Sequence, residues 1–218
     1  VTQTKATADL ADRRRLLEKK ARYEAIVDAA EQMFFSQGFE HTTMDDIARR
    51  AQLSRALLYV YFRDKAAIMR AIMLRAAQML LSRFKKALEQ GQDGVAQIEG
   101  IGRAYYLFSQ QLPDYFDVLT NVSTFPEPEI ADELQHEMLS CRHDINQTMV
   151  AALLNGLEDG TLSRDKIVDP LQTAFYLQGA LHGVIMQTRR ACCEPGSFAD
   201  ADALVRYTIK SLTTSIQA

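Results

Sequence analysis

Three sets of side chains in this sequence are of types that can act on another molecule. The first is Glu133-Leu134-Gln135-His136, where a three-residue step puts a carboxylate and an imidazole on one helix face, the spacing used in di-iron carboxylate bundles. That chemistry needs a second such pair and further facing glutamates. The other histidines, His41, His143 and His182, have no glutamate three residues earlier. His136-Glu137 also opens a zinc-protease-like pattern, but Ser140 stands where the second histidine must be. No phosphate loop, dinucleotide fingerprint or Gly-x-Ser-x-Gly elbow occurs. An enzyme is therefore not expected, nor is a resident metal or cofactor. The second set is the thiols: Cys192 and Cys193 are adjacent, and Cys141 lies two residues before His143. Three cysteines without a Cys-x-x-Cys pair argue against a disulfide scaffold or zinc ribbon and make the reducing cytoplasm the expected compartment. A thiol- or metal-sensing role for Cys141, Cys192 or Cys193 is the alternative reading. A helix C-terminus nearby raises a thiol pKa and so opposes it.

The third set is concentrated in one short stretch: Thr43, Ser54, Arg55, Tyr59, Tyr61 and Lys65. Hydroxyls, a guanidinium and an ammonium at such density suit phosphates and base edges. The charge distribution agrees. The net charge of −3 argues against a polyanion partner when taken alone. Residues 1–90, however, hold 17 Lys and Arg against 11 Asp and Glu, and residues 91–218 hold 8 against 17. A basic first part joined to an acidic second part suggests that only the first meets nucleic acid.

The elements that position these residues read as helices throughout. With 218 residues, 47% hydrophobic and 24% charged, the chain can bury a proper core. Five Pro, ten Gly and no Trp favour helix over strand. No apolar run approaches a membrane span, and the first residues lack a secretory core. Residues 1–17 are polar and basic, with Arg13, Arg14 and Arg15 in a row, and are expected to form a frayed arm within which the first helix could begin; such a basic run is more often a solvated tail, though a basic arm could add salt-sensitive affinity. Tyr23, Ile26, Val27, Ala30, Met33 and Phe34 make an amphipathic stripe up to Gln37, and Gly38 suits a left-handed cap. Thr43 followed by Asp46 marks a capping box for a short helix, and Ser54 caps a second, Arg55 to Phe62. Asp64 caps a long helix to about Leu88. Further helices are expected up to Pro113, from Pro113 to Val122, from Glu129 to Leu157, from Asp169-Pro170 to Ala191 and from Asp200 to Ser215. Pro126-Glu127-Pro128 and Pro195-Gly196 break the pattern.

Two helices of seven to nine residues cannot each bury much area alone, so they make sense as a helix-turn-helix on flanking helices. The second would enter the major groove, with Arg55 at its first turn reaching a base edge and Tyr59, Tyr61 and Lys65 meeting the backbone. The stretch "TTMDDIARRAQLSRALLYVYFRDKAAI", residues 42–68, resembles the DNA-binding domain of the TetR (tetracycline-repressor-like) family of bacterial transcriptional regulators. "AIVDAAEQMFFSQGFEHTT", residues 25–43, resembles that family's first helix. The resemblance spans about residues 22–70. It implies a recognition helix at Arg55–Tyr61, including Ala56 and Leu57, and phosphate contacts at Thr43, Ser54, Tyr59, Tyr61 and Lys65. Two positions depart from the family pattern. Gln52 stands where a turn glycine is usual, and a left-handed backbone there costs about 1–2 kcal/mol without glycine. Leu57 replaces a polar residue and offers only apolar contact with thymine methyls.

The expected fold is therefore all-α, with a basic arm (1–17), a helix-turn-helix domain (18–66) and a helical domain (67–218). The resemblance implies that the last part binds a small effector and dimerises through its last two long helices. Gly179, Ala180 and Gly183 would allow close helix approach, and the final helix carries a near-heptad stripe, Val205, Ile209, Leu212 and Ile216. Aromatic and polar candidates for the pocket are Tyr105, Phe108, Phe116, Phe125, Met138, Phe175, Gln178 and His182. The expected function is a homodimeric ligand-responsive regulator, a repressor, on a palindromic double-stranded DNA operator.

Overall fold

The computed structural model describes the backbone of residues 2–120, 133–191 and 200–218. Side chains are described from Asp12 to Arg189 within those ranges and from Asp200 on. The elements are α1 (Thr2–Gln37), α2 (Met44–Arg50), α3 (Arg55–Tyr61), α4 (Lys65–Gln90), α5 (Gly94–Gln111), α6 (Pro113–Thr120), α7 (Glu133–Asp159), α8 (Pro170–Ala191) and α9 (Ala201–Ile216). Among the described residues there is no strand, only an isolated bridge between Leu162 and Gln217. None of these helices is long and apolar enough to cross a membrane. Two units divide the chain, one up to Met73 and one from Leu74, so that α4 belongs to both.

The first unit is a helical head. Its buried side chains are Ile26, Val27, Ala30 and Phe34 on α1, Ile47 and Ala48 on α2, Leu58 on α3, Phe62 after it, and Ile68 and Ile72 on α4. These are the apolar positions that recur at helical spacing, and their burial is what stabilises two seven-residue helices too short to persist alone. Tyr23 and Phe62 stack with ring centroids 4.9 Å apart, and Phe34 meets Phe39 at 5.1 Å. Gly38, at φ 89°, closes α1 as its cap position requires, its N–H donating to the Phe34 carbonyl at 3.0 Å. Residues 2–17, expected as a frayed arm, instead continue α1. Glycine and proline are absent from Thr2 to Gln37 and good helix formers dominate. Residues 12–22 bury nothing, and Arg14–Glu18 at 3.0 Å and Arg15–Asp12 at 3.8 Å brace the exposed turns.

The second unit is a bundle of α5 to α9 with the rest of α4. Phe84, Phe108, Phe116, Leu153, Ile185 and Val205 are wholly buried at its centre. Helices α5 and α7 touch backbone to backbone where Gly94 meets Gly156: a Cβ on Gly94 would lie 2.1 Å from the Gly156 Cα. The Gly94 N–H donates to Asp159 Oδ2 at 2.8 Å, tying the start of α5 to the end of α7. Replacing Gly94 with alanine is therefore expected to destabilise this unit by about 1–3 kcal/mol, because backbone and not a flexible side chain must yield. A lowered urea midpoint with an unchanged slope would register it. The chain end is held by Ser163 N–H to the Ile216 carbonyl at 2.9 Å and Lys166 Nζ to the Gln217 carbonyl at 2.6 Å. Tyr106 on α5 donates to the Asp202 carboxylate on α9, and burial, aided by that bond, pushes its phenol up to about 12.

Candidate nucleic-acid interface

The interface begins with how α2 and α3 are started and stopped. The Thr43 hydroxyl donates to Asp46 Oδ2 at 2.6 Å and accepts the Asp46 N–H at 3.2 Å, while the Thr43 N–H returns to the same carboxylate at 3.1 Å. These bonds satisfy the first turn of α2 and hold the Asp46 carboxyl below its ordinary range. At the other end, Gln52 N–H donates to Arg49 O at 3.2 Å and Leu53 N–H to Ala48 O at 2.9 Å. This is the paired bonding of a Schellman stop, and it needs a left-handed residue at Gln52, where φ is 56°. The turn thus keeps the conformation a glycine would adopt freely, at the cost anticipated above. Ser54 opens α3 by accepting the Leu57 N–H at 3.2 Å.

One face of α3 is buried through Leu58, and Phe62 follows it inward. The opposite face is exposed: Arg55, Ala56, Tyr59 and Val60, the last 77% exposed. Leu57 and Tyr61 flank it, half-buried. Val60 was not anticipated as a surface residue, although it is four residues beyond Ala56. Arg55 Nη1 lies 3.0 Å from Asp45 Oδ2 on α2, and its guanidinium sits 5.6 Å from the Tyr59 ring centroid. Ser54 retains its O–H for an acceptor, whereas the Thr43 proton is already committed to Asp46.

Lys65 is engaged within the head. Its Nζ donates to the Phe39 carbonyl at 2.6 Å, stands 3.5 Å from that of Glu40 and lies 4.4 Å from the Phe39 ring centroid. The expected phosphate ligand thus ties α4 to the α1–α2 turn. Lys65→Met should lower stability by about 1.5 kcal/mol, the worth of a charge-assisted bond, and leave the salt dependence of DNA binding unchanged. A slope lowered by about 0.9 on a log–log salt titration would instead mark a phosphate contact.

The second unit contains a small apolar cavity of about 40 Å³, lined by Phe84, Ile98, Ile101, Gly102, Tyr105, Met149, Leu177, Gln178, Leu181, Ile209, Leu212 and Thr213. Of the anticipated pocket residues, Tyr105 and Gln178 line it. His182 lies just outside, its Nδ1 2.9 Å from the Tyr105 hydroxyl oxygen. Phe116 packs beside both, with centroids 5.5 and 5.9 Å away, and under the Arg189 guanidinium at 5.0 Å. Arg189 Nη2 pairs with Asp117 at 2.8 Å, while its Nη1 is buried without an acceptor. Phe108 is core and meets Arg83 instead, and Met138 is packed against the core away from the cavity. Phe175 is corrected: it is 55% exposed on α8, on the helix face opposite the core positions Ala174 and Leu177. Phe125, Cys192 and Cys193 lie outside the described residues. Most cavity residues are aliphatic, and nothing in their spacing separates them from ordinary core.

Burial lowers the His182 pKa from its ordinary 6.5 and raises that of Tyr105, so both are neutral partners. The unfolded chain then takes up a proton below about pH 6.5 that the folded one refuses. Stability is expected to be full above that pH and to fall as pH drops through the depressed value. Urea midpoints from pH 7.5 to 5.5 should decline more in the native protein than in His182→Asn. Burial likewise raises the Cys141 thiol, which leaves it a poor thiolate sensor. No group of three potential ligands that could hold a metal occurs among the described residues.

A capped pair of short helices with one buried and one solvent-facing side, carried on a helical body, defines a DNA-binding helix-turn-helix regulator. The sequence pattern of bacterial regulatory proteins of the tetR family matches residues 26–72. The transcriptional activator FasR of Mycolicibacterium smegmatis is 24% identical over 57% of this chain and 57% of its own length. IcaR of Staphylococcus epidermidis, a negative transcriptional regulator of a biofilm operon, is 24% identical over 66% of this chain and 73% of its own. The crystal structure of PfmR from Thermus thermophilus, a TetR family regulator, superposes with a TM-score of 0.63 at 21% identity, over 87% of this chain and 97% of that one. Residues 26–72 thus carry the DNA-binding region of the tetR family, and the fold of the chain is the one seen in TetR family regulators.

Proposed function

We propose that the protein is a homodimeric repressor in the bacterial cytoplasm that reads a palindromic operator through α3 and is released by a small apolar effector. The observation that carries the reading is the division of α3 into a buried face, Leu58, and an exposed face of Arg55, Ala56, Tyr59 and Val60. A helix stabilised wholly from one side is free to enter a groove with the other. Ser54 adds a hydroxyl donor for a phosphate at the helix start.

Dimerisation is supported by what α8 and α9 leave uncovered. Leu171, Phe175, Tyr176 and Tyr207 are 44 to 70% exposed, and a Cβ on Gly179 or Gly183 would meet nothing within 4 Å. Such a face is costly to leave in water and suits a four-helix contact between two copies. The cavity supports an effector with a largely apolar body, since Gln178, the Tyr105 hydroxyl and Thr213 are the polar side-chain groups in an otherwise apolar lining. At about 40 Å³ the cavity is far below the roughly 300 Å³ of an ordinary ligand site, so the effector binds only an expanded form. Phe84 lines the cavity and belongs to α4, the helix that begins at Lys65 in the head. Expansion that displaces α4 therefore gives the effector the differential affinity that release requires, about 1–3 kcal/mol in typical cases.

The test is selection of bound fragments from sheared genomic DNA and from random duplex at moderate salt. A shared inverted repeat, bound in preference to random duplex and upstream of a promoter-proximal gene, is the expected result. Binding that favours no fragment would overturn the reading.

A further inference from the structure

We propose that Asp45 is a positioning residue that makes Arg55 a reader of bases and bars it from the phosphate backbone; this rests on the DNA-reading role of α3. Arg55 opens α3 with a guanidinium held on two sides, by Asp45 Oδ2 at 3.0 Å from Nη1 and by the Tyr59 ring at 5.6 Å. The neighbouring cations have partners of their own: Arg49 faces Asp46 at 3.5 Å, and Arg50 donates to Gln32 Oε1 at 3.0 and 2.6 Å. Asp45 is thus the carboxylate assigned to Arg55, across the gap between two helices rather than along one.

The consequence follows from what each possible target carries. Nη1 is turned to Asp45, and the Tyr59 side chain is a second hydrogen-bond partner of the guanidinium, one that yields when the Nε–Nη2 edge makes a bidentate contact. Guanine offers O6 and N7, both neutral acceptors, at the right separation for that edge. A phosphate offers oxygens as well, but with a full negative charge that Asp45 repels. The carboxylate therefore penalises the phosphate contact and leaves the guanine contact nearly untouched. It also fixes a long side chain whose freedom would otherwise be lost only on binding. An acid facing a polyanion lowers affinity for every duplex; here it does so selectively and converts the loss into discrimination.

The experiment compares the tightest-bound selected duplex with random duplex of equal length, by fluorescence anisotropy at fixed salt, for the full-length protein, Asp45→Asn, Arg55→Ala and the double variant. Asp45→Asn should bind random duplex about threefold more tightly, and the ratio of selected to random affinity should fall about three- to fivefold. In the Arg55→Ala background the same substitution should leave that ratio unchanged. Asp45→Glu, which keeps the charge, should restore most of it. If Asp45 serves only the dipole of α2, Asp45→Asn will change both affinities by one common factor in both backgrounds, and the proposal falls. Absence of any selected duplex for the native protein would overturn the DNA reading itself, a distinguishable failure. Circular dichroism of each variant separates these outcomes from loss of fold.

Discussion

Arg55→Ala is expected to weaken operator binding by about 1–3 kcal/mol per half-site and to relax the preference at one base position, leaving the other positions as they were. The size follows from a bidentate guanidinium contact with guanine, and the confinement to one position follows from where Arg55 stands. It is the first residue of α3, and the next exposed position on the same face, Tyr59, is one turn further along. The fold should not suffer, because Arg55 is exposed and its pair with Asp45 is a surface one. Selection of random duplexes by the variant gives the readout directly. An unchanged position-by-position preference would show that the guanidinium does not read a base.

Splitting the proposed dimer should have a larger effect. Phe175→Glu combined with Tyr207→Glu puts two like charges on faces that are 55% and 70% exposed in one subunit. Neither substitution disturbs the core of its own subunit, where Ala174, Leu177, Val205 and Ile209 carry the packing of α8 and α9. In a two-fold contact each charge is buried twice, and desolvating unpaired carboxylates costs several kcal/mol. The variant should sediment as a monomer with native helicity. Its operator affinity should drop more than about 100-fold, since one head loses the second half-site held at a fixed distance. A variant that stays dimeric would move the interface elsewhere on the body.

How far the sequence led can be judged at particular residues. The starts of α2 and α3 were legible because each has a chemical mark: Thr43 and Ser54 each accept from an N–H in the first turn, and Asp200, where the last helix was expected to begin, does the same; the Asp93 cap of α5 was not read. The Asp169-Pro170 start of α8 was equally plain, with Asp169 accepting from Leu171 and Gln172 N–H. The start of α1 was not, because an exposed helix of charged residues has no apolar stripe and periodicity cannot reveal it. The exposed face of α3 was legible except for Val60, whose apolar side chain looks like core in one dimension. The partners of Lys65 were hidden for the opposite reason. A lysine next to a DNA-binding helix looks like a phosphate ligand, and only the chain fold reveals the carbonyls of Phe39 and Glu40 beneath it.

The body was less legible at the level of its cavity. Phe175 and Leu177 are two residues apart on one helix, and one faces out while the other lines the cavity. Aromatic identity suggested the first as a pocket residue; the helix phase, once fixed by Ala174, Leu181 and Ile185, assigns the second. Phe84, Ile98, Ile209 and Leu212 come from three separate helices, and no spacing rule brings them together.

The central claim is that two α3 helices read one duplex at a fixed separation. It is tested most directly by footprinting the native protein on its selected fragment while measuring the mass of the complex by sedimentation. The account predicts two protomers per duplex and two protected major-groove segments about 34–36 Å, one helical turn, or a whole multiple of that apart. A single protomer on a single protected segment, at concentrations that saturate the fragment, would contradict it.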